Sequence, residues 1–437
     1  MNSSQTNIEV CSLETQKIGA AISEYFNIYS LFQAHAEAQP HKIALAQAGE
    51  QGKDGRFQYS IMSFKRMQLE IEALANGFVD VGVGKGNKVL LLVKPNMQLA
   101  TVVFALFKLG AIPVVIDPAM GLKRLLRCIE DVAPEVLIAL PLVHGIRPIF
   151  RQAFRSIHTF ITTGAKVSPR VVKLESLYQW ALPAPATENT HGDDIAAIFF
   201  TSGSTGTPKG VESLHRHMKA QMNNIQQMFE LKQDDIDLAA FPLSMLVSPS
   251  IGRTCVIPNL GSIHPGKCNP ENLIQSINDF GVTASFASPI VWERLSRHCV
   301  ENKIQLPTIR YAVSGGAPIP YSMIHRFKKI LPNGRMYTPY GATEVSPVTT
   351  IDSDEILNET AQLSAQGHGT CVGLPVADMV VKIIEIEDSA IETWQSVKLL
   401  PQGDIGEIVV KGPLVTEKYH LKNTKENTAI FTHNINK

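Results

Sequence analysis

The stretch KVLLLVKPNMQLATVVFALFKLGAIPVVI, residues 88–116, decides the fold class. Residues 88–93 form an apolar run, residues 97–109 have the length of a helix that stops at Gly110, and residues 112–116 form a second apolar run. Strands without polar alternation, joined by a helix, are typical of a parallel sheet that is covered on both faces. The stretch therefore predicts one strand–helix–strand unit of a doubly wound α/β sheet.

The same alternation extends outward in both directions. On the N-terminal side, the pattern predicts helices at residues 29–38 and 63–77, the second closed by Gly77, and strands at 42–47 and 57–61. On the C-terminal side, further predicted strands are 136–139, 196–200, 236–240, 284–287 and 311–314. The helices predicted between them are 122–131, 216–229, 270–280 and 321–330. From about residue 350 the sequence becomes β-rich, at 379–386 and 406–411.

These patterns predict four parts of the chain. An N-terminal arm occupies residues 1–25, and a first α/β subdomain occupies 26–190, ending in a proline-containing connector. A second α/β subdomain occupies 191–349 and contains the phosphate loop described below. A smaller β-rich part occupies 350–437.

The composition of the 437 residues is that of an ordinary globular protein, with 44% hydrophobic and 18% charged residues. Forty basic residues balance forty acidic ones, so the sequence predicts no nucleic-acid partner. The six cysteines include no CxxC pair, which favours free structural thiols over a zinc or redox site. The N-terminus lacks the features of a signal peptide, and Lys108, Gly110 and Pro113 interrupt the most apolar passage. We therefore predict a cytoplasmic protein without a transmembrane segment.

The sequence TSGSTGTPKG, residues 201–210, directly follows the predicted strand at 196–200. Its three glycines allow backbone N–H groups to turn inward, and its hydroxyls and lysine suit phosphate oxygens. The pattern GxxxxGK[ST] does not fit, because Pro208 stands where its second glycine should be. A Ser/Gly linker would have the same composition, but it would not grow from a buried strand. The loop predicts a polyphosphate ligand held by Thr201, Ser202, Gly203, Ser204, Thr205, Gly206 and Lys209.

Residues 200–211 resemble the phosphate-loop signature of adenylate-forming enzymes, a family that includes acyl-CoA synthetases and nonribosomal-peptide adenylation domains. Other segments resemble landmarks of that family in the same order: FPL at 241–243, SGGAP at 314–318, YGATE at 340–344 and GDIGEIVVKG at 403–412. The resemblance spans about residues 25–430. It implies two doubly wound α/β subdomains and a smaller distorted β-barrel, with the small C-terminal domain of the family absent from this chain.

The resemblance also implies roles for individual residues. Tyr340 is expected to stack on adenine, Thr343 to contact the α-phosphate and Glu344 to coordinate Mg²⁺, the cofactor that accompanies ATP. His215 follows the phosphate loop at a position where many family members have a histidine near the adenylate, whereas His217 is expected on a helix surface. The residues expected to line the adenine site are Gly315, Gly316, Ala317, Gly341 and Ala342.

Within the family, the chain most resembles the β-lactone synthetases of bacterial olefin biosynthesis and the fatty-acyl-AMP ligases. The resemblance implies ATP- and Mg²⁺-dependent activation of a fatty or β-hydroxy fatty acid as acyl-AMP, with release of pyrophosphate. A β-lactone or a thioester would follow, the acceptor being the substrate's own hydroxyl or CoA. The alternative is a truncated protein that binds ATP or acyl-adenylate with little catalysis, because the lysine of the C-terminal domain is missing. The oligomeric state stays open.

Overall fold

The computed structural model describes residues 25–201, 208–262, 264–387, 391 and 393–420. Within these residues, twenty strands are present. They are β1 Ile43–Gln51, β2 Phe57–Ser63, β3 Lys88–Leu92, β4 Ile112–Ile116, β5 Val136–Ala139, β6 Thr159–Thr162, β7 Val172–Lys173, β8 Ile195–Thr201, β9 Lys209–Leu214, β10 Ile236–Leu238, β11 Thr254–Ile257, β12 Ala284–Ala287, β13 Tyr311–Ser314, β14 Arg335–Tyr337, β15 Tyr340–Ala342, β16 Val345–Thr350, β17 Leu374–Pro375, β18 Val380–Ile384, β19 Glu407–Lys411 and β20 Tyr419–His420.

Ten α-helices of six or more residues lie in the same described part of the chain. They are α1 Tyr29–Ala38, α2 Phe64–Asp80, α3 Met97–Lys108, α4 Leu122–Val132, α5 Pro141–Ile146, α6 His215–Met228, α7 Ser244–Ser250, α8 Pro270–Phe280, α9 Pro289–Glu301 and α10 Tyr321–Ile330. The predicted helices and strands are present, and most of their ends agree within a few residues.

Two large sheets form the centre of the molecule. Among the described residues, the first has eight strands in the order β20-β9-β8-β4-β3-β5-β6-β7 and the second has seven in the order β14-β13-β12-β10-β11-β1-β2. The six strands from β8 to β7 of the first sheet run parallel. In the second sheet only the β1–β2 pair is antiparallel. The predicted α/β class with largely parallel, doubly wound sheets is therefore confirmed.

The two sheets do not divide the chain at residue 190, where the sequence pattern placed a boundary. β8 and β9, which flank the phosphate loop, belong to the first sheet, and β8 pairs with β4 through Ile198 and Val114. Conversely, β1 and β2 belong to the second sheet, where Leu45 pairs with Cys255. Hydrophobic periodicity identifies a strand but not its distant partner, so the pattern missed this exchange.

A layer of helices lies between the two sheets. The ring of Phe32 in α1 lies 5.8 Å from that of Phe64 in α2 and 4.9 Å from that of Phe104 in α3, between ring centroids. The same cluster contains buried residues of both sheets, such as Val89 and Cys255. Helix α4 covers the outer face of the first sheet, and α8, α9 and α10 cover that of the second. Burial of each large ring contributes roughly 2–3 kcal/mol, which fixes the sheets relative to each other.

Helix α2 does not end at Gly77, as the sequence pattern predicted, but continues to Asp80. Its start agrees with the prediction, because the Ser63 side chain accepts a hydrogen bond from the backbone N–H of Arg66. A Cβ atom at Gly77 would lie 1.9 Å from the carbonyl oxygen of Leu177. Gly77 is therefore required for close packing of the helix against the 3₁₀ helix Leu174–Leu177 and not for ending the helix.

The described residues after 350 begin with a helical segment at 353–365, which the prediction of a β-rich part did not include. Four short strands, β17 to β20, follow it. β18 and β19 form an antiparallel pair, and β20 returns to the first sheet, where Tyr419 pairs with Val211. The five described cysteines are free, and all but Cys371 are buried. Among all the residues that the structure describes, no helix combines the length and apolar character needed to cross a bilayer.

Candidate active site

Thr343 and Glu344 lie in a tight turn between β15 and β16. Ala342 pairs with Val345, so these two residues alone connect the strands. Thr343 is exposed and Glu344 is half-buried. A Cβ atom at Gly341 would lie only 2.5 Å from the carbonyl oxygen of Val345, so the turn requires glycine there. The sequence YGATE therefore builds a compact hairpin that presents a hydroxyl and a carboxylate.

The loop at Gly315, Gly316 and Ala317 lies beside this hairpin. It follows β13, and a Cβ atom at Gly315 would be 3.4 Å from the carbonyl oxygen of Pro339, immediately before β15. Gly316 has a φ of +87°, which favours glycine. The Tyr340 side chain is 41% exposed, so its ring is accessible to a ligand. The two segments predicted to hold adenine are thus neighbours at the carboxyl edge of the second sheet, where ligands of open α/β sheets bind.

An aromatic pair stands at the same edge of the second sheet. Phe241, which follows β10, is 37% exposed, and its ring packs edge-on against Phe286 of β12 with centroids 5.1 Å apart. A Cβ atom at Gly315 would be 3.7 Å from the Phe286 ring. The segment predicted to border an acyl pocket therefore lies next to the segment predicted to hold adenine.

The phosphate loop joins β8 to β9, and Thr201 pairs with Lys209 at the base of this connection. The structure describes the backbone of Thr201 and the whole of Lys209. The other residues predicted to hold phosphate, Ser202, Gly203, Ser204, Thr205 and Gly206, lie outside the described residues.

Lys209 and Glu344 both contact the side chain of Tyr419. The Lys209 ammonium lies 4.9 Å from the centroid of this ring, and the Tyr419 hydroxyl donates a hydrogen bond of 2.5 Å to Oε1 of Glu344. Tyr419 is 6% exposed, and burial, together with the Glu344 carboxylate, raises the pKa of its phenol. The phenol therefore stays neutral and donates at neutral pH. The structure thus brings the predicted phosphate cation and the predicted metal carboxylate to one point.

The sequence motifs did not include Tyr419. It lies seven positions after the end of the GDIGEIVVKG segment and 75 positions from Glu344 in the chain. The available signal was weak: one aromatic residue among Glu417, Lys418 and His420. Such a residue is equally typical of an edge strand, so only the fold reveals its contact.

His215 is buried at the start of α6. It is 1% exposed, and its Nδ1 accepts a hydrogen bond of 3.1 Å from the backbone N–H of Ile28. Burial is the main cause that lowers the pKa of His215 to about 4, so the ring is neutral at neutral pH. His215 therefore has a structural role, connecting α6 to the start of α1, and its expected place near the adenylate stays a prediction.

His217 also differs from the prediction, which placed it on a helix surface. It is 4% exposed, and its Nδ1 accepts a hydrogen bond of 3.3 Å from the backbone N–H of Leu214. Burial lowers its pKa to about 4. The helical pattern failed here because His217 lies in the first turn, where its ring folds back to cap the helix.

Comparison with known proteins identifies the family of the chain. The family model described as AMP-binding enzyme matches residues 32–420. The chain belongs to this family. It is accordingly an ATP-dependent, adenylate-forming ligase, as the motifs predicted.

Two relatives, each named olefin β-lactone synthetase, support the subgroup. The protein from Stenotrophomonas maltophilia (strain K279a) is 35% identical over 397 residues, covering 90% of this chain and 71% of the relative. The protein from Xanthomonas campestris pv. campestris is 35% identical over 406 residues, covering 92% and 72%.

Solved structures show the same fold. A long-chain-fatty-acid–CoA ligase from Archaeoglobus fulgidus superimposes with a TM-score of 0.73 at 21% identity, covering 93% of this chain and 78% of that one. The o-succinylbenzoate coenzyme A synthetase from Bacillus subtilis, in complex with AMP, gives a TM-score of 0.70 at 20% identity, covering 91% and 72%. These similarities support the architecture derived above from the sheets.

Proposed function

We propose that this chain activates a fatty or β-hydroxy fatty acid as acyl-AMP, using MgATP and releasing pyrophosphate. The observation that supports the proposal best is the meeting of Lys209 and Glu344 at Tyr419, beside the loops at Gly315 and Tyr340. One point thus collects a cation for phosphate, a carboxylate for a metal ion and a surface of small residues for a flat base. A second support is the 35% identity to relatives named olefin β-lactone synthetase.

The donor set suits Mg²⁺ bound together with a nucleotide. Among the described residues, no three His, Cys, Asp or Glu side chains cluster in a way that could hold a metal ion. Mg²⁺ is commonly held by one or two carboxylates, with phosphate oxygens and waters completing its shell. Glu344 would hold the ion, and the ion would neutralise phosphate charge when bound. The oxygen chemistry of Glu344 therefore fits magnesium on a nucleotide better than a metal site made by protein alone.

The residues of the chain can be assigned to the two bonds that change. A carboxylate oxygen of the acid attacks the α-phosphorus of ATP, a new P–O bond forms, and the bond to pyrophosphate breaks. Lys209 stabilises the negative charge on the phosphates, and the Thr343 hydroxyl donates to the α-phosphate. Tyr340 offers its exposed ring to adenine. These groups stabilise charge and position the substrates, which is where most of the rate enhancement of phosphoryl chemistry arises.

For the step after adenylation we favour β-lactone formation. The β-hydroxyl oxygen of the acyl-AMP attacks the acyl carbon, the bond to AMP breaks, and the hydroxyl proton passes to solvent or to a base. The observation that favours this step is the higher identity to the β-lactone synthetases than to the Thermus thermophilus long-chain-fatty-acid–CoA ligase, which is 25% identical over 359 residues. Thioester formation with CoA is the second candidate.

Carboxylate-dependent ATP–pyrophosphate exchange tests the adenylation step. We expect exchange with long-chain fatty acids and their β-hydroxy forms, and little exchange with acetate. Incubation of a β-hydroxy acid with ATP should then yield a β-lactone without CoA. A thioester formed only when CoA is added would support the second candidate. ATP binding without exchange on any acid would support the binding-only alternative for this chain.

A further inference from the structure

The ring of Tyr419 is the physical link between the two charged groups of the proposed site. We propose that Tyr419 is a positioning residue, which orients the Glu344 carboxylate for Mg²⁺ and keeps it apart from the Lys209 ammonium. The inference rests on the proposed function, because it concerns how the same site holds MgATP. It adds a residue that no sequence motif marked.

Tyr419 can position another group because its own position is fixed on both sides. Its strand β20 pairs with β9, where Tyr419 lies opposite Val211, and the backbone N–H of Glu212 donates to the carbonyl of Lys418 at 3.2 Å. The strand that follows the phosphate loop therefore holds the backbone of Tyr419. At 6% exposure the ring has little freedom to change its rotamer.

The segment that carries Tyr419 contacts Glu344 twice. The backbone N–H of Thr416 donates to the Glu344 carbonyl at 2.8 Å, and the Tyr419 hydroxyl donates to Glu344 Oε1 at 2.5 Å. The bond from Thr416 holds the backbone of the turn in place. The bond from Tyr419 fixes the orientation of the carboxylate and occupies only one of its two oxygens. A glutamate in an exposed turn would otherwise lose side-chain entropy when it binds a metal ion. Hydrogen bonds to metal-binding carboxylates commonly have this orienting role.

The same ring separates two opposite charges. Lys209 lies over the ring face, and Glu344 accepts a hydrogen bond from the hydroxyl at the ring edge. Within the described part of the chain, the ion pairs closer than 4.0 Å do not include one between Lys209 and Glu344. A neutral phenol gives each group a partner that does not cancel its charge. Both charges then remain able to interact with phosphate and Mg²⁺.

The chain provides a matched control for the loss of one phenolic hydroxyl. Tyr59 donates a hydrogen bond of 2.8 Å to Oδ2 of Asp279, a second tyrosine–carboxylate pair. This pair joins β2 to α8 at the edge of the second sheet, away from the hairpin that carries Glu344. Tyr419→Phe therefore removes a hydrogen bond from a tyrosine hydroxyl to a carboxylate inside the proposed site, and Tyr59→Phe removes a bond of the same type outside it.

The test is the affinity for ATP measured by calorimetry, once with excess Mg²⁺ and once with EDTA. For Tyr419→Phe we expect the affinity in Mg²⁺ to fall about tenfold, the lower end of the effect expected for a group that orients a metal ligand. The affinity in EDTA should stay within about twofold of wild type, and so should both affinities of Tyr59→Phe. The melting temperature without ligand checks that each variant is folded.

A second measurement distinguishes positioning from support of the fold. In the Glu344→Gln background, Tyr419→Phe should have little further effect on ATP affinity in Mg²⁺, because the carboxylate that it positions is gone. An equal loss of affinity with and without Mg²⁺, or a full effect in the Glu344→Gln background, would overturn the inference. Unchanged affinity of Tyr419→Phe would overturn it as well, while leaving the proposed function intact. Absence of ATP binding by the wild-type chain would instead refute the proposed function.

Discussion

The backbone N–H of Ile28 donates a hydrogen bond of 3.1 Å to Nδ1 of His215, and this bond joins residues 187 positions apart. It connects the residue before α1 to the first residue of α6. A second bond fixes the other side of His215, whose backbone N–H donates to the carbonyl of Asp194 at 3.1 Å. The neutral ring is therefore an integral part of the interface between the helix layer and the strand that precedes the phosphate loop.

The first prediction concerns the pH dependence of stability. The folded-state pKa of His215 is lowered to about 4, below the ordinary value of 6.5, so the unfolded chain takes up a proton first. The stabilisation is present above pH 6.5 and is lost as the pH falls toward 4. His215→Asn keeps an acceptor for Ile28 but does not titrate. When the pH falls from 7.5 to 5, the free energy of unfolding measured in urea should decrease by about 2 kcal/mol less in this variant than in the wild-type chain.

His215→Ala serves as the comparison for that variant. It leaves the buried N–H of Ile28 without its acceptor and creates a cavity, which should reduce the free energy of unfolding by about 2–3 kcal/mol at pH 7.5. An identical pH dependence in wild type and His215→Asn would contradict the assignment of a buried, neutral histidine.

The second prediction concerns Gly77 in the last turn of α2. Alanine normally favours a helix, but here its Cβ would lie 1.9 Å from the Leu177 carbonyl oxygen. The backbone of the 3₁₀ helix that contains Leu177 would have to move, so Gly77→Ala should reduce the free energy of unfolding by at least about 2 kcal/mol. Gly145 in α5 has no atom within 4 Å of a Cβ position, and Gly145→Ala should be neutral or slightly stabilising. Equal stability of both variants in urea titrations would refute the packing role of Gly77.

The comparison of α8 with α2 shows which features the sequence determines locally. The predicted helix at 270–280 agrees with the structure at both ends. Asn269 caps its first turn, Pro270 opens it, and Gly281 ends it with a φ of +62°. All three signals lie within the helix or next to it. Gly77 differs, because its reason is Leu177, one hundred positions away, and no local pattern contains that contact.

The same distinction applies to the candidate site. The motifs located Lys209, Tyr340 and Glu344, and the resemblance gave them roles before any contact was known. The sequence did not reveal Tyr419, whose bond to Glu344 spans 75 positions. Nor did it reveal the burial of His215, which depends on α1 and Asp194. Residue types at fixed spacing predict chemistry, whereas positioning depends on contacts that only the assembled sheets create.

The third prediction concerns the turn that presents Glu344. A Cβ atom at Gly341 would lie 2.5 Å from the carbonyl oxygen of Val345, so Gly341→Ala should displace the hairpin. We expect ATP–pyrophosphate exchange to fall about 100-fold, because small displacements of positioning groups are costly to catalysis. Gly84, with no atom within 4 Å of its Cβ position, supplies the control variant Gly84→Ala. Wild-type exchange in Gly341→Ala would show that the turn tolerates rearrangement.

The last prediction concerns the two charges of the site. Lys209→Ala removes the phosphate cation, and Glu344→Gln removes the carboxylate charge while keeping the shape of the side chain. Each should weaken binding of MgATP, whose wild-type dissociation constant we expect between micromolar and millimolar, roughly −8 to −4 kcal/mol.

The two variants should differ in their response to magnesium. In EDTA, Lys209→Ala should still bind ATP more weakly than wild type, whereas Glu344→Gln should bind it as well as wild type or better, because a negative charge next to phosphate has been removed. In the exchange assay both should fall about 100-fold or more, the effect of losing one group that stabilises charge in the transition state. The surface pair of Lys398 with Glu385 gives a control, since Lys398→Ala removes a cation without approaching the site. Loss of ATP binding in EDTA by Glu344→Gln would mean that Glu344 supports the fold of the site and not its magnesium ion.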